Sequence, residues 1–233
     1  MAAQVRSCTN CRLHAGRTNA VPGEGHPDTE VMFVGEGPGF NEDRQGRPFV
    51  GRAGELLVRL LGEVGWRRDE VFITNVVKCR PPDNRDPEPD EIAACALFLQ
   101  RQLEILQPAL VVTLGRHSLG RFMPGARIGQ VHGTYRDAAE GTAPAGTTAY
   151  AMYHPAAALR TPESRPTSFQ SLYRPRPTTG RRGRTIFSRP IRHCSRTPRT
   201  SSVSSKSART PWPALRRPCA SSRSPGWAIS ART

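Results

Sequence analysis

Short apolar runs that close on glycine or a polar residue alternate with helical stripes along most of this chain, and that alternation restricts the fold more than any other feature. Glu30–Gly35 (EVMFVG), Val71–Val77 (VFITNVV), Ala109–Gly115 (ALVVTLG) and Thr147–His154 (TTAYAMYH) have the length and β-rich composition of strands. Between them, Ala53, Leu56, Leu57, Leu60, Leu61 and Val64 recur at helical spacing before Gly65. Ile92, Cys95, Ala96, Leu99, Leu103 and Leu106 form a second stripe, Arg116–Met123 reads as a short helix, and Ala156–Leu159 opens another. Strands joined by helical crossovers pair in parallel, so the expected fold is α/β. It is a single domain over residues 1–172, with a mainly parallel four-stranded sheet and helices on both faces. Ligands of such sheets bind beyond the carboxyl ends of the strands. Glu36, Asn75, the Gly115–His117 turn and His154 all fall at or near such ends.

The formal charge of +15 on 233 residues invites a nucleic-acid reading, but its distribution is uneven. Residues 1–172 carry 19 Lys+Arg against 19 Asp+Glu, whereas residues 173–233 carry 15 Lys+Arg and no acid. This second segment is rich in Arg, Pro, Ser and Thr and has no apolar period, so it is expected to be disordered. Its composition fits a basic arm that adds non-specific phosphate affinity. It fits better a sequence not selected for folding, such as GC-rich coding DNA translated out of frame. With no apolar run of membrane length and no continuous apolar leader, the chain is expected in the cytoplasm, associated with the nucleoid.

In a reducing compartment, four cysteines in the neutral part argue for metal ligation over disulfides. Cys8 and Cys11 form a C-x-x-C pair able to bite one metal, Cys79 lies near a strand end, and Cys95 lies on a helical stripe. Spacing alone leaves a [4Fe–4S] cluster and a structural zinc both open. Only Cys95, on the apolar face, could be an ordinary buried thiol.

The polar residues at the strand ends carry the remaining chemistry. GEGPG at Gly35–Gly39 resembles a dinucleotide loop but lacks the third glycine, contains Pro38, and is expected to precede its helix by about a dozen residues. A tight turn with left-handed glycines accounts for Gly37 and Gly39 but not for Glu36, an acid placed to hold a water. Phe49, in the GRPFVGRAG loop, could plug the core or offer a stacking surface to a planar base. Asn75 puts a side-chain amide in an apolar strand, where it must be paired if buried; its donor and acceptor match a pyrimidine edge. His154, before Pro155, ends the last strand on the same rim.

Taken in order, CTNC, GEGPGFNED, GRPFVGRAGELL, ITNVVKCRPPDNRDP, AAC, VVTLG and YHPAAALR closely resemble the family 4 uracil-DNA glycosylases, from about Cys8 to Arg160. The resemblance implies a [4Fe–4S] cluster on Cys8, Cys11, Cys79 and Cys95. It implies hydrolysis of the N-glycosidic bond of a deoxyuridine flipped out of single- or double-stranded DNA, leaving an abasic site. Phe49 would then stack on uracil, Asn75 would bond its edge, and His154 would face O2, where charge grows as the bond breaks. Gly37 takes the position of the water-activating aspartate of other uracil glycosylases, so Glu36, with Asn84, becomes the candidate for orienting water. Glu42 is implied as a further pocket residue. A lyase needs an amine nucleophile, and the neutral part has one lysine, Lys78. A monofunctional enzyme is therefore expected, and the chain is expected to be a monomer. His132 stands where the family would place an arginine, and the KCRPP loop lacks the histidine-bearing insertion of relatives that cross-link to DNA. The alternatives are a family 5-like glycosylase of broader base specificity, against which Glu36 argues, and a catalytically impaired iron–sulfur DNA-binding module.

Overall fold

The computed structural model describes residues 1–160; the expected boundary at residue 172 and the basic segment beyond it lie outside the described residues. The elements run α1 (Ala2–Arg6), α2 (Leu13–Gly16), β1 (Glu24–Gly25), β2 (Val31–Gly35), α3 (Phe40–Gln45), α4 (Arg52–Glu63) and β3 (Phe72–Asn75). They continue as α5 (Pro89–Leu106), β4 (Leu110–Leu114), α6 (Arg116–Phe122), α7 (Ile128–Val131), β5 (Tyr135–Asp137), β6 (Thr148–Met152) and α8 (Pro155–Arg160).

The sheet has six strands in the order β1-β3-β2-β4-β6-β5. The four expected strands are its parallel centre, β3-β2-β4-β6, and the count of four needs correcting to six because an antiparallel edge strand flanks each side. Neither edge had a legible apolar pattern. β1 is a two-residue Glu-Gly pair, and β5 is Tyr-Arg-Asp with two exposed residues. Polar and very short edges also protect a sheet from pairing with another chain.

Alternation along the buried strands sorts their side chains into two layers. Met32, Val34, Val111, Ala149 and Ala151 face α5 and α6, with Val5 and Leu13 of the first two helices packed in. Val31, Phe33, Ile73, Leu110, Val112, Leu114, Tyr150 and Met152 face Leu57, Leu60 and Leu61 of α4. Both sheet faces are thus covered, as a parallel sheet requires.

α4 closes as its sequence dictates, with Gly65 at φ 79° turning the chain back. α5 starts on a capping box, in which Glu88 and Glu91 reciprocate backbone and side-chain hydrogen bonds around Pro89. Glu91 is fully buried and also accepts from Arg85 at 2.6 Å and from Arg12 at 3.0 Å. Arg12 belongs to the segment just after Cys11, so this carboxylate fastens the CxxC segment to the helix that carries Cys95. Hydrogen bonds from Arg85, more than the opposing burial, hold Glu91 down to about 2.

A folded-state pKa below the unfolded value stabilises the fold at pH above the unfolded pKa and is lost as pH falls through the folded one. Parent protein should therefore exceed Glu91→Gln in urea stability by roughly 1–2 kcal/mol at pH 7, a charged hydrogen bond discounted for half-exposed arginine partners. That margin should shrink as pH falls from about 4.5 toward 2. An equal margin at pH 7 and pH 3 would contradict the assignment.

Candidate active site at the carboxyl rim of the sheet

The chain runs from β2 to β3 on one side and returns to β4 on the other, so the strand order reverses beside β2, where open α/β sheets bind ligands. Register puts Gly35, the last residue of β2, opposite Asn75, the last of β3. A Cβ on Gly35 would overlap Asn75 Oδ1 and lie 2.7 Å from Phe49 Cζ, so the bare backbone is what lets an amide and an aromatic ring meet over the strand end. Asn75 is 1% exposed, and its Oδ1 is buried without a hydrogen-bond partner. An orphaned acceptor costs about 1–3 kcal/mol, and here it lies beside Phe49.

Phe49 combines both readings of its loop. It packs into the α4-side core at 6% exposure, yet its ring stands 5.5 Å from that of His154, tilted by 30°. Its backbone is left-handed at φ 50°, a strained conformation for a bulky residue. Arg68 restrains it by donating to the carbonyls of Pro48 and Phe49, and Glu42 Oε1 accepts the N–H groups of Val50 and Gly51 at 2.8 and 2.9 Å. Glu42 thus acts on the pocket by holding the loop that carries Phe49.

His154 follows β6 by two residues, and Gly115, at φ 93°, leaves the space against which its Cβ rests. Its Nδ1 lies 3.2 Å from the N–H of Ala156, which can only donate, so Nδ1 is the acceptor and the ring proton sits on Nε2. Burial lowers the pKa to about 4. The residue is therefore a neutral imidazole with an Nε2–H donor at physiological pH.

The glycine-rich turn departs from expectation in two ways. Gly37 and Gly39 are not left-handed. A Cβ at Gly37 would approach Val77 Cγ2 to 2.8 Å, so close packing is the reason there, whereas one at Gly39 would meet only the Glu42 carboxylate end, Oε2 at 2.9 Å. A helix also begins at once, because α3 starts at Phe40 and not a dozen residues on.

Glu36 is half-buried and lies 3.7 Å from His117 Nε2, which in turn is 3.5 Å from Asp86 Oδ1. Burial, augmented by Asp86 and opposed by His117 and Arg116, raises the Glu36 pKa above the ordinary glutamate value. Asn84 sits exposed in the 3-10 turn Pro82–Asn84, and its Oδ1 accepts from Arg80 at 2.8 Å. Asp86 and His117 are the groups found against Glu36; the structure does not bring Asn84 into that cluster among the described contacts.

Cys8, Cys11, Cys79 and Cys95 line one cavity with Val5, His14, Arg17, Lys78 and Phe98. Arg17 donates to Cys79 Sγ at 3.1 Å, and the Lys78 N–H lies 3.3 Å from Cys95 Sγ. Burial raises both inner thiols, Cys95 to about 11, so a bound cation is what would make them thiolates. Bonds of about 2.3 Å to one zinc would draw four sulfurs to within roughly 3.8 Å of one another. Among the described residues, the ligand atoms of Glu36, Asp86 and His117 lie within 4.8 Å of one another.

A family model described as the uracil DNA glycosylase superfamily matches residues 22–175. The chain belongs to the uracil DNA glycosylase superfamily. Over 171 residues it is 49% identical to the type-4 uracil-DNA glycosylase of Saccharolobus solfataricus, covering 71% of this chain and 78% of that one. It is 64% identical over 116 residues to the type-4 uracil-DNA glycosylase of Sulfurisphaera tokodaii, 49% of this chain and about half, 53%, of the relative. Against the type-5 uracil-DNA glycosylase of Thermus thermophilus, identity is 34% over 149 residues, 58% and 68% of the two chains. Within the superfamily this chain falls in the type-4 branch.

The rim also holds residues that sequence reasoning passed over. Gly35 showed only as a strand terminator. Asp86 was hidden in a proline-rich loop, and Arg68 gave no signal, since its partners, the Pro48 and Phe49 carbonyls and the Glu24 carboxylate, are all distant in sequence. His132 packs edge-on against Tyr153, with ring centroids 4.7 Å apart.

The His154 tautomer is directly measurable. In nitrogen-15 NMR of selectively labelled protein, Nε2 should carry the proton at pH 7 and the ring should titrate near pH 4. A midpoint near 6.5, or a proton on Nδ1, would remove the donor argument.

Proposed function

We propose that this chain is a monofunctional DNA repair glycosylase that hydrolyses the N-glycosidic bond of deoxyuridine in DNA, with a [4Fe–4S] cluster on Cys8, Cys11, Cys79 and Cys95. The observation that carries the reading is the buried, unpartnered Asn75 Oδ1 beside the Phe49 ring and the His154 donor. Uracil presents an N3–H donor between two carbonyl oxygens, so its insertion against Phe49 satisfies the orphaned acceptor, and the Asn75 amino group can serve O4. Cytosine offers an acceptor at N3 and leaves the Asn75 oxygen unpaired.

Cleavage puts negative charge on the departing base, centred on N1 and O2. A neutral His154 with Nε2–H toward O2 stabilises that charge and needs no proton transfer. Glu36, held against Asp86 and His117, orients the water that attacks C1′ of the sugar. Its raised pKa makes it more basic than a solvated carboxylate. Asn84 is close in sequence to this cluster and is kept as a second candidate for contact with that water. Lys78 supports hydrolysis without lyase chemistry. Its Nζ is buried and donates to Thr74 Oγ1, the Asn75 carbonyl and Gln102 Oε1 at 2.6–2.8 Å, so it cannot reach a sugar aldehyde.

The four cysteines line one cavity, and the resemblance to the type-4 enzymes favours a cluster there over a single zinc. A bound cluster would cross-link the N-terminal segment, the turn after β3 and α5, with Arg17 and the Lys78 N–H donating to its thiolates.

Full-length protein should release uracil from a single-stranded oligonucleotide. His154→Ala should slow single-turnover release about a hundredfold or more while DNA affinity changes little, and Asn75→Asp should weaken uracil-over-cytosine preference. Unchanged rates and preference in both would take these residues out of the mechanism. Protein purified without oxygen should be brown, with iron and acid-labile sulfide each near four per chain. Colourless protein with one zinc would exclude the cluster.

A further inference from the structure

An exposed aromatic ring stands on the same rim outside the pocket. Phe40, the first residue of α3, is 52% exposed, whereas Phe33, Phe49, Phe98 and Phe122 in the core are at most 6% exposed. The guanidinium carbon of Arg44, one turn along α3, lies 5.6 Å from its ring centroid, and that of Arg80, from the loop after β3, lies 5.2 Å away. Arg12, Arg47, Arg67, Arg68, Arg85 and Arg116 each pair with a carboxylate. Among the described ion pairs, neither Arg44 nor Arg80 has an acidic partner. The two segments meet beside the pocket, because a Cβ on Gly37 would touch both Val77 and Pro81. Phe40 therefore sits four residues from Glu36, between two guanidiniums whose charge is free.

We propose that Phe40, Arg44 and Arg80 form a platform for the DNA strand next to the extruded uracil, with an unpaired base stacking on Phe40 and the two guanidiniums taking flanking phosphates. The proposal rests on the reading of this rim as the uracil site. An aromatic face open to solvent suits any unpaired base, since every base has a π-face, and paired bases inside a duplex cannot reach it. Cations held by a ring and not by carboxylates keep their charge for phosphates. The occupant is thus a single strand of nucleic acid, and the platform adds affinity without reading sequence.

The test is fluorescence anisotropy of full-length protein with a labelled single-stranded oligonucleotide free of uracil, so that binding is read apart from the chemistry. Phe40→Ala should weaken binding on the order of tenfold, and Phe40→Trp should restore it. Arg44→Gln should lower the slope of log affinity against log salt by roughly 0.7, one phosphate on a single strand. At saturating enzyme, Phe40→Ala should release uracil at the parent rate. Unchanged affinity in Phe40→Ala, or equal loss in Phe40→Ala and Phe40→Trp, would overturn the platform. So would a slower saturating rate at unchanged affinity, which would place Phe40 in the pocket. Parent protein that releases no uracil would sink the proposed activity, while the binding result would still decide the platform.

Discussion

Parallel pairing of β3, β2, β4 and β6 is the constraint on which the rest of the molecule depends. It brings four carboxyl ends to one rim, and each end carries one element of the proposed site: Glu36 after β2, Asn75 from β3, the Gly115–His117 turn after β4 and His154 after β6. Parallel strands must be buried on both faces, so the layers formed by α5 and α6 and by α4 are conditions for that rim as well as sources of stability. Adjacent β2 and β3 also keep pairing beyond their strand ends, since Val76 and Val77 donate to the carbonyls of Gly35 and Glu36. This fixes the turn after β3 against the glycine-rich turn.

The rim is built at a cost to the fold. A left-handed phenylalanine, an amide oxygen without a partner, a carboxyl group with a raised pKa and an imidazole kept neutral by burial each lower stability or limit solvation. Their surroundings hold them in place: Arg68 and Glu42 fix the Phe49 loop, Ala156 fixes the His154 ring, and Lys78 fixes the Asn75 carbonyl. In the proposed reaction, groups held this way would not need to reorganise as charge develops on a leaving base, which is how preorganised sites lower a barrier.

Much of this was legible in the sequence because it depends on period and punctuation. The four central strands, the α4 and α5 stripes and the polar residues at the strand ends follow from apolar spacing interrupted by Gly, Asn or His. The edge strands were not legible, because β1 and β5 owe their pairing to neighbours and not to any apolar pattern of their own. The role of Gly37 was misread for a related reason: a single sequence shows that a side chain is missing, not whether dihedral angle or crowding by Val77 requires its absence. Asp86 and His117 come to Glu36 from two different loops, and such convergence has no signature in linear spacing.

The central claim is that Asn75 and His154 read and polarise one pyrimidine on the Phe49 ring. A crystal structure with DNA carrying a C-linked deoxyuridine analogue, whose glycosidic bond cannot be hydrolysed, tests it most directly. The account predicts the base flipped onto Phe49, the ring N–H between its two carbonyl groups within hydrogen-bond distance of Asn75 Oδ1, and the carbonyl oxygen next to the glycosidic carbon within reach of His154 Nε2. A flipped base bound elsewhere, or one seated on Phe49 with Asn75 Oδ1 still unpartnered, would contradict it.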